Sequence, residues 1–283
     1  MQEVFVYIRS CHKVKILIKT QAGTQTDFFI CNTERGNLSF NWVGGEDLSV
    51  PELLEKANQD VVHTIDEPLV EDDIAYSNED ERNADPCTSR SCIWPKSSDG
   101  KVYVPYTLSS AYSDRERSVI ERGLQSFATI SCIRFIKRTN QKDYLAIQSL
   151  EGCYSFIGRQ GKAQTVSLAR SGCVYHGTTQ HEVLHALGFH HEQKRSDRDS
   201  HIRIHLENVI SGKENNFKKI ATLNQNTGYD YKSVMHYGKF AFSKNNKATM
   251  VPIPNQNVEI GKATEMSQND INRLKRLYKS QNL

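Results

Sequence analysis

The chain has 283 residues, of which 24% are charged and 37% hydrophobic, and its formal net charge at pH 7 is +3. This length supports one substantial hydrophobic core, or one core with an appendage. The small net charge and the scattered basic residues argue against a nucleic-acid-binding protein, and no apolar run reaches the roughly eighteen residues that cross a bilayer. We therefore expect no nucleic-acid partner and no membrane span.

The N-terminal residues 1–47 do not fit the remainder of the chain. The alternating stretch "KVKILIK" predicts a β-strand, whereas a secretory signal needs a continuous apolar run and a small-residue cleavage site. We leave these residues unassigned and interpret them as a gene-model artefact or an unusual start exon. Cys11 and Cys31 lie in this segment and are given no role.

A strongly acidic stretch precedes the part of the chain that has the pattern of a packed domain. Residues 66–81 contain eight acids and no base, and Arg82 follows directly. Two interpretations fit this pattern equally well: a solvated acidic linker, or an exposed segment that a trypsin-like protease cuts after Arg82. Under both interpretations the composition changes near residue 82.

Beyond Arg82, periodicity predicts alternating helices and strands. A capping box, Ser113 with Glu116, precedes an apolar helical face. The runs "CIRFIKR" and "YLAIQSL" alternate as strands. Further helices are predicted in "TTQHEVLHALGFHH" up to Gly188, in "ENVISGKENNFKKIA" and in "SQNDINRLKRLYKS". This order of elements predicts an α+β, or mixed α/β, single domain.

The seven cysteines are an odd number, so at least one has no disulfide partner within the chain. Cys87 and Cys92 are five residues apart, and a disulfide could close the loop between them. Cys153 and Cys173 bracket a hairpin-like excursion and could also be bridged. Cys132 has no obvious partner. Two bridges indicate an oxidising compartment, so we expect a secreted, extracellular protein.

The stretch "HEVLHALGFHH" concentrates metal-binding side chains. His181 and His185 are four residues apart, which places both on one face of a helix. Gly188 follows where a helix would end in a left-handed turn, so the chain can bring His191 back towards the other two. Three imidazoles and one open position predict a catalytic zinc site with one Zn²⁺. His190 is not required by the spacing.

Glu182 stands beside the first histidine and is the expected general base. Zinc would lower the pKa of a water from 15.7 to roughly 7, and Glu182 would pass the water's proton to the leaving amine. Met235, in "YKSVMHYGKFAFS", could form a soft apolar floor under the imidazoles. A bare HExxH also occurs on solvated helix faces, but the longer spacing found here is much harder to meet by chance.

These motifs resemble those of astacin-type metalloproteases, a branch of the metzincins. The match includes the continuation "HHEQKRSDRD" and the downstream "SVMHY", and the resemblance covers residues 83–283. It implies a zincin-like catalytic domain with two subdomains on either side of an active-site cleft. The "CTSRSC" pair is similar to the six-cysteine subgroup that includes fish hatching enzymes (choriolysins) and nephrosin-like proteases.

The resemblance also implies roles for single residues. Tyr237 is expected to be a swinging zinc ligand that leaves the metal to hydrogen-bond the oxyanion. Glu192 is expected to contact the new N-terminus after activation, and Met235 to lie in the family's Met-turn. Where the family bridges Cys132 to a C-terminal cysteine, this chain has Ser280, so Cys132 is expected to be free and the domain to lose about 2–4 kcal/mol.

The acidic stretch would then be part of a propeptide, residues 48–82, preceding a peptidase domain at 83–283. Its "VEDDI" is similar to the family's F-x-G-D motif, with Val70 for Phe and Asp72 for Gly. Asp73 would take the position of the zinc's water and keep the zymogen inactive until a trypsin-like protease cuts after Arg82.

The sequence thus predicts a secreted, monomeric zinc endopeptidase made as a zymogen, with protein substrates. As a protease of the hatching-enzyme type, it would act on egg-envelope glycoproteins. The alternatives are a nephrosin-like or digestive astacin with other protein substrates, and an inactive relative that binds protein or metal. Intact His181, Glu182, His185, His191 and Tyr237 argue against the inactive relative.

Overall fold

The computed structural model describes residues 48–59, 61, 69–76 and 92–279, together with the backbone of four strands within residues 1–47. It divides the chain into two compact units, residues 1–48 and 49–283. The first unit is an antiparallel sheet in the order β1-β2-β3-β4. Its strands are β1 (Glu3–Ile8), β2 (Val14–Thr20), β3 (Gly23–Glu34) and β4 (Asn37–Val43). Strand β2 confirms the strand predicted from "KVKILIK".

The second unit is built on a mixed seven-stranded sheet in the order β5-β6-β10-β11-β9-β7-β8. Its strands are β5 (Leu69–Val70), β6 (Ile74–Ala75), β7 (Val102–Leu108), β8 (Ile133–Lys137), β9 (Tyr144–Gln148), β10 (Cys153–Phe156) and β11 (Ala163–Leu168). Its helices are α1 (Val50–Asn58), α2 (Asp114–Ile130), α3 (His176–Ala186) and α4 (Gln268–Lys279). The predicted α+β class is confirmed.

Helix α2 begins at the predicted capping box. The amide of Ser113 donates to the Glu116 carboxylate at 2.7 Å, and the Ser113 hydroxyl accepts from the Glu116 amide at 3.4 Å. The apolar face of the helix buries Ile120, Leu124 and Phe127 against the sheet. A 3.6-residue period with a proper start therefore sufficed to predict this helix.

The helix predicted in residues 207–221 is wrong. The structure has two short 3-10 turns in this region, Leu206–Asn208 and Glu214–Phe217. Gly212 between them has a φ of +89°, which ends any right-handed helix. Val209 is extended and bridges to a distant segment instead. The glycine outweighed the apolar spacing.

Two large hydrophobic clusters lie in the described part of the second unit, besides a small one formed by Ala75, Tyr154 and Phe156. The largest one joins the sheet to α2, α3 and α4. The second large cluster is formed by residues between 202 and 260, where β12 (Ile202–Ile204) pairs with β13 (Met250–Pro252). Among the residues that the structure describes, no helix is both long and apolar enough to cross a membrane.

The cysteine predictions have mixed outcomes. Cys153 and Cys173 form a disulfide, as predicted, with the sulfurs 2.07 Å apart. Cys92 is also disulfide-bonded, but Cys87 lies outside the described residues, so the pairing of these two stays a prediction. Cys132 is a free, half-buried thiol, as expected. Arg82 also lies outside the described residues.

Candidate metal centre and the segment that covers it

Helix α3 carries the first three residues of the site into the interior. His181, Glu182 and His185 are at most 1% exposed. The helix can lie close to α2 because Gly123 has no side chain: a Cβ there would meet Thr179 Cγ2 at 2.7 Å. This close packing sets the depth of the histidines beneath the surface.

Gly188 ends α3 in the way predicted. Its φ is +102°, and its amide donates to the His185 carbonyl at 2.8 Å while the Phe189 amide donates to the Leu184 carbonyl at 3.0 Å. These two bonds form a Schellman motif, which reverses the chain after the helix. The reversal returns His191, which is 1% exposed, to the histidines of α3.

Hydrogen bonds fix the protonated nitrogen of each imidazole. His181 Nδ1 donates to the Val234 carbonyl at 2.9 Å, and His185 Nδ1 donates to the Phe189 carbonyl at 2.7 Å. His191 Nδ1 faces the Glu71 carboxylate at 2.7 Å. Because a carbonyl or carboxylate can only accept, Nδ1 carries a proton in each ring, so Nε2 is the nitrogen that can give its lone pair to a metal.

The three Nε2 atoms and one carboxylate oxygen converge on one point. Asp73 Oδ2 lies 3.0 Å from His181 Nε2, 3.0 Å from His191 Nε2 and 3.6 Å from His185 Nε2. Ligand atoms about 2.0–2.1 Å from a tetrahedral zinc are roughly 3.3 Å apart. The observed spacings bracket that value, and all four residues are buried. The cluster therefore fits one zinc ion with the predicted ligands and with Asp73 at the fourth corner.

The burial and the missing hydrogen bonds of Glu182 are typical of a catalytic proton acceptor. It is fully buried, and neither of its carboxylate oxygens meets a hydrogen-bond partner among the described residues. Burial, together with the nearby negative charge of Asp73, raises the pKa of Glu182 well above its usual value. A buried carboxyl without a partner is costly and is typical of a group kept for chemistry.

The Met-turn (residues 233–237) joins α4 to one of the histidines. The Ser233 hydroxyl donates to Asp270 of α4 at 2.6 Å, and the Val234 amide donates to the same carboxylate at 3.0 Å. The Val234 carbonyl in turn orients His181. Met235 is 3% exposed, and its carbonyl accepts from the Glu192 amide at 2.9 Å. Helix α4 thus fixes the turn, and the turn fixes a histidine.

Tyr237 lies beside this cluster, with its ring centroid 4.4 Å from that of His191. Its hydroxyl donates to the Glu71 carbonyl at 2.7 Å. The predicted swinging residue is therefore hydrogen-bonded to the acidic stretch in this structure.

The covering segment (residues 69–76) lies over the metal cluster as an added piece of sheet. Strand β6 pairs in parallel with β10, and the Ser155 amide donates to the Asp73 carbonyl at 2.9 Å. Burial alone would raise the pKa of Asp73, but the charge of His191 and bonds to three imidazoles lower it well below its usual value. The segment brings to the histidines a carboxylate that stays ionised.

Two neighbours of Asp73 also bind the peptidase part of the chain. The Glu71 carboxylate pairs with Lys194 and with His191. Despite the opposing effect of burial, the charges of Lys194 and His191 lower the pKa of Glu71 to about 2. Asp72 Oδ1 pairs with Lys213 Nζ at 2.6 Å. Spacing within the motif could not predict that Lys194 and Lys213 pair with these acids. The only hint in the sequence was the run of acidic residues.

The backbone conformation explains why Asp72 can occupy the position at which the family's F-x-G-D motif has glycine. Asp72 has a φ of +62° and Glu71 a φ of +64°. Glycine adopts this left-handed region without strain, and Asp is among the few other residues that enter it readily. Asp72 therefore keeps the turn that a glycine would make. The side chain of Val70 lies outside the described residues.

Helix α1 attaches the covering segment to the sheet. Asn58 Nδ2 donates to the Cys153 carbonyl at 2.9 Å, and Asn58 Oδ1 accepts from the Cys153 amide at 2.7 Å. Asn58 Nδ2 also donates to the Asp72 carbonyl at 3.1 Å. A Cβ on Gly152 would lie 2.5 Å from Asn58 Oδ1, so the glycine makes room for these bonds.

Glu192, which follows the third histidine in the sequence, forms a buried ion pair. Arg273 Nη1 and Nη2 donate to its two carboxylate oxygens at 2.5 and 2.8 Å. The expected partner, an N-terminal amine at Asn83, lies outside the described residues, so that contact stays a prediction. Arg273 was missed because nothing in the sequence of α4 links it to a distant glutamate.

A cavity of about 490 Å³ remains next to the covering segment. Its walls include Asp73, His181, Tyr237, Lys213 and Leu54. The described structure thus brings Asp73, His181 and the predicted tyrosine to one cavity, and the other two predicted ligands lie next to them in the metal cluster. Cys153 begins β10, whereas Cys173 lies in the turn between β11 and α3. His190 is not among the clustered ligands.

The sequence model of the astacin peptidase family matches residues 88–279. The chain belongs to the astacin family.

Relatives of this astacin include two proteins of Oryzias latipes. High choriolytic enzyme 1 is 49% identical over 214 residues, which is 75% of this chain and 78% of the relative. Low choriolytic enzyme is 46% identical over 215 residues, 75% of this chain and 79% of the relative. The solved structure of high choriolytic enzyme 1, a hatching enzyme zinc-protease, matches with a TM-score of 0.67 and 50% identity, covering 70% of this chain and 99% of that one.

Membership of the astacin family establishes the type of reaction. This astacin is a zinc-dependent metalloendopeptidase that acts on protein substrates. The predicted family, enzyme class, zincin-type α+β fold and zinc dependence are confirmed.

Proposed function

We propose that the chain is the zymogen of a secreted, hatching-enzyme-type protease that digests egg-envelope proteins. In this proposal His181, His185 and His191 hold the zinc, and Asp73 blocks its fourth position until the chain is cut after Arg82. The observation that carries the proposal is the convergence of Asp73 and the three imidazoles within 4.8 Å of one another.

The reaction requires a base and an oxyanion donor close to the metal. Zinc, when bound, supplies a Lewis acid that acidifies a water and polarises the scissile carbonyl. Glu182 accepts the proton and returns it to the leaving amine. The absence of a hydrogen-bond partner on either Glu182 oxygen, among the described residues, supports this role. Tyr237 donates its hydroxyl to the oxyanion once the Glu71 carbonyl has left.

The covering segment acts as an inhibitor because it occupies the cleft like a peptide. It adds a strand next to β10, the β-augmentation mode of peptide binding, and it carries a carboxylate to the metal ligands. Removal of residues 48–82 by a trypsin-like protease frees the cleft. The Cys153–Cys173 disulfide supports export, because such bridges persist in oxidising compartments. We propose that the processed protein is a monomer.

The substrate class rests on relatives rather than on the cleft. The choriolytic and hatching-enzyme names of the Oryzias latipes proteins favour egg-envelope proteins. A nephrosin-like or digestive astacin with other protein substrates is the second candidate. Digestion of purified egg envelope and of casein by protein processed at Arg82 separates the two. Rapid, chelator-sensitive digestion of egg envelope is expected, and digestion of casein alone would favour the alternative.

The proposed base is tested by Glu182→Ala in the processed protein. We expect zinc content close to one per chain and almost complete loss of peptide hydrolysis, because the metal ligands remain and the proton acceptor is gone. Unchanged turnover would contradict the mechanism. Loss of zinc would instead place Glu182 among the groups that hold the site together.

A further inference from the structure

The Met-turn contains a histidine that is not among the clustered metal ligands. His236 is 1% exposed, and both of its ring nitrogens have hydrogen-bond partners. Nδ1 lies 2.8 Å from the Tyr237 carbonyl oxygen, and Nε2 lies 2.8 Å from the Tyr229 hydroxyl. Both partners belong to the peptidase part of the chain, so the two bonds do not depend on the covering segment.

These partners determine which nitrogen of His236 carries the proton. A carbonyl can only accept, so Nδ1 donates to Tyr237. Burial favours the neutral imidazole, in which Nε2 is then an acceptor for the Tyr229 hydroxyl. The hydroxyl of Tyr229 therefore supports the tautomer that bonds the Tyr237 carbonyl.

The backbone of Tyr237 is bonded on its other side as well. Its amide donates to Gln193 Oε1 at 3.2 Å, and Gln193 lies in the 3-10 turn that directly follows His191. The peptide groups on both sides of Tyr237 are thus fixed, whereas its hydroxyl donates to Glu71 of the covering segment. When that segment leaves, the side chain can turn while the backbone stays in place.

Aromatic packing fixes Tyr229 independently of its hydroxyl. Its ring stacks on that of His201, with the centroids 4.9 Å apart and the planes 11° apart. The ring of Tyr231 meets it edge-on at 5.2 Å. Tyr229 is 9% exposed and belongs to the second large hydrophobic cluster. Loss of the hydroxyl alone therefore leaves this ring where it is.

A donor that stabilises an oxyanion has to be held to within about 0.5 Å of its working position. On the basis of the proposed function, in which Tyr237 is that donor, we propose that His236 is a positioning residue for Tyr237. Its Nδ1 fixes the carbonyl at the base of the tyrosine, and Tyr229 fixes the imidazole.

The test uses protein processed at Arg82 and one peptide substrate. His236→Leu removes both hydrogen bonds of the imidazole. We expect kcat to fall by about tenfold with KM nearly unchanged, because the misplaced hydroxyl acts on charge that develops only in the transition state. Tyr229→Phe keeps the packed ring and removes only the donor to Nε2, and a smaller loss of kcat, about threefold, is expected.

A double-variant cycle separates positioning from general damage. In Tyr237→Phe protein the hydroxyl that His236 positions is missing, so the addition of His236→Leu should lower kcat no further. A general disturbance of the site would lower kcat by the same factor in both backgrounds.

Tyr231→Phe is the matched control, because it removes a hydroxyl from the same aromatic cluster. That hydroxyl donates to the His201 carbonyl at 3.0 Å and not to the Met-turn. We expect a lower melting temperature and an unchanged kcat.

A second measurement avoids turnover. A peptide with a phosphinate in place of the scissile amide resembles the tetrahedral transition state. By calorimetry it should bind about tenfold more weakly to His236→Leu than to the parent, and equally to Tyr237→Phe with and without His236→Leu.

The outcomes are distinct. An equal loss of kcat in both backgrounds, or a higher KM with an unchanged kcat, overturns the positioning role. If His236→Leu protein does not fold, the same cycle is run with Tyr229→Phe, where an unchanged kcat overturns the proposal. Failure of the processed parent protein to cleave the peptide, with zinc bound, contradicts the proposed function instead.

Discussion

At the scale of single residues, the geometry separates groups that hold the metal from groups that act on the substrate. The three histidines are oriented through Nδ1, and their Nε2 atoms converge with Asp73 on one point that fits a metal. Glu182 and Tyr237 are not held in this way. The Glu182 carboxylate has no hydrogen-bond partner among the described residues, and the Tyr237 hydroxyl donates to the covering segment. In the proposed mechanism their partners therefore change on activation, whereas the bonds that orient His181 and His185 stay within the peptidase part.

The hydroxyl of Tyr237 gives the first prediction. In processed protein, Tyr237→Phe removes a donor that acts on charge developed only in the transition state. We expect kcat to fall by about 10²-fold, with KM nearly unchanged and zinc content unaltered. Steady-state kinetics with one peptide and metal analysis test this. Tyr175→Phe, at an exposed tyrosine, is the control. An increase in KM with an unchanged kcat would contradict the role.

The left-handed turn at Asp72 gives the second prediction, on protein carrying Arg82→Gln so that it stays unprocessed. Asp72→Val places a β-branched residue at a φ of +62° and removes the pair with Lys213. Left-handed strain costs about 1–2 kcal/mol, so we expect on the order of tenfold more peptide hydrolysis by the unprocessed chain.

Asp72→Gly is the matched variant, because it relieves the strain and loses only a partly exposed ion pair. Hydrolysis close to that of the unprocessed parent is expected. If the Val and Gly variants released equal activity, the ion pair rather than the backbone would hold the segment in place.

At the scale of elements, the end of α3 determines where the third histidine lies. Gly188→Ala imposes strain of about 1–2 kcal/mol at a φ of +102°, and we expect a lower melting temperature together with reduced zinc content. Gly100→Ala is the matched control: its φ is +78°, and a Cβ there would meet nothing within 4 Å. It should lower the melting temperature without affecting zinc. Normal zinc content in Gly188→Ala would contradict the proposed coupling.

The same elements show which features the sequence could predict. The ligands on α3, its glycine end and the capping box of α2 are local, so spacing alone predicted them. The helix in residues 207–221 was wrong because Gly212 and an extended Val209 outweigh the apolar pattern. Lys194 with Glu71, and Arg273 with Glu192, join residues 123 and 81 positions apart. No local pattern encodes such pairs, since they depend on the finished fold.

At the scale of the whole molecule, the contacts that hold the covering segment in place are distributed along the described residues between 49 and 76. The Val50 amide donates to the Ala263 carbonyl at 2.8 Å, and a Cβ on Gly177 would lie 2.6 Å from Val50 Cγ2. Asn58 joins the same helix to the sheet. Helix α1 thus binds away from the metal and keeps Asp73 at a high effective concentration at the histidines. The proposed cut after Arg82 would remove a covalent link but none of these contacts, so we expect release of the segment to be a separate step.

The free thiol gives the last prediction, which concerns the stability of the whole domain. Cys132 packs against the main core cluster. Burial raises the pKa of Tyr278, and the nearby Cys132 adds to this effect, so the end of α4 lies close to the thiol. Ser280, two residues further on, lies outside the described residues. In Ser280→Cys we expect a disulfide to Cys132 worth about 2–4 kcal/mol, which corresponds to a melting temperature higher by about 5–10 °C without reductant.

Reductant should abolish that gain, because the stabilisation comes from cross-linking two points far apart in the chain. Ser280→Ala, and Ser280→Cys combined with Cys132→Ser, should melt like the parent. Peptide hydrolysis by the processed variant should match that of the parent, since the bridge would lie at the end of α4 whereas the metal ligands are fixed by α3 and the Met-turn. Two titratable thiols and an unchanged melting temperature would mean that the end of the chain does not reach Cys132.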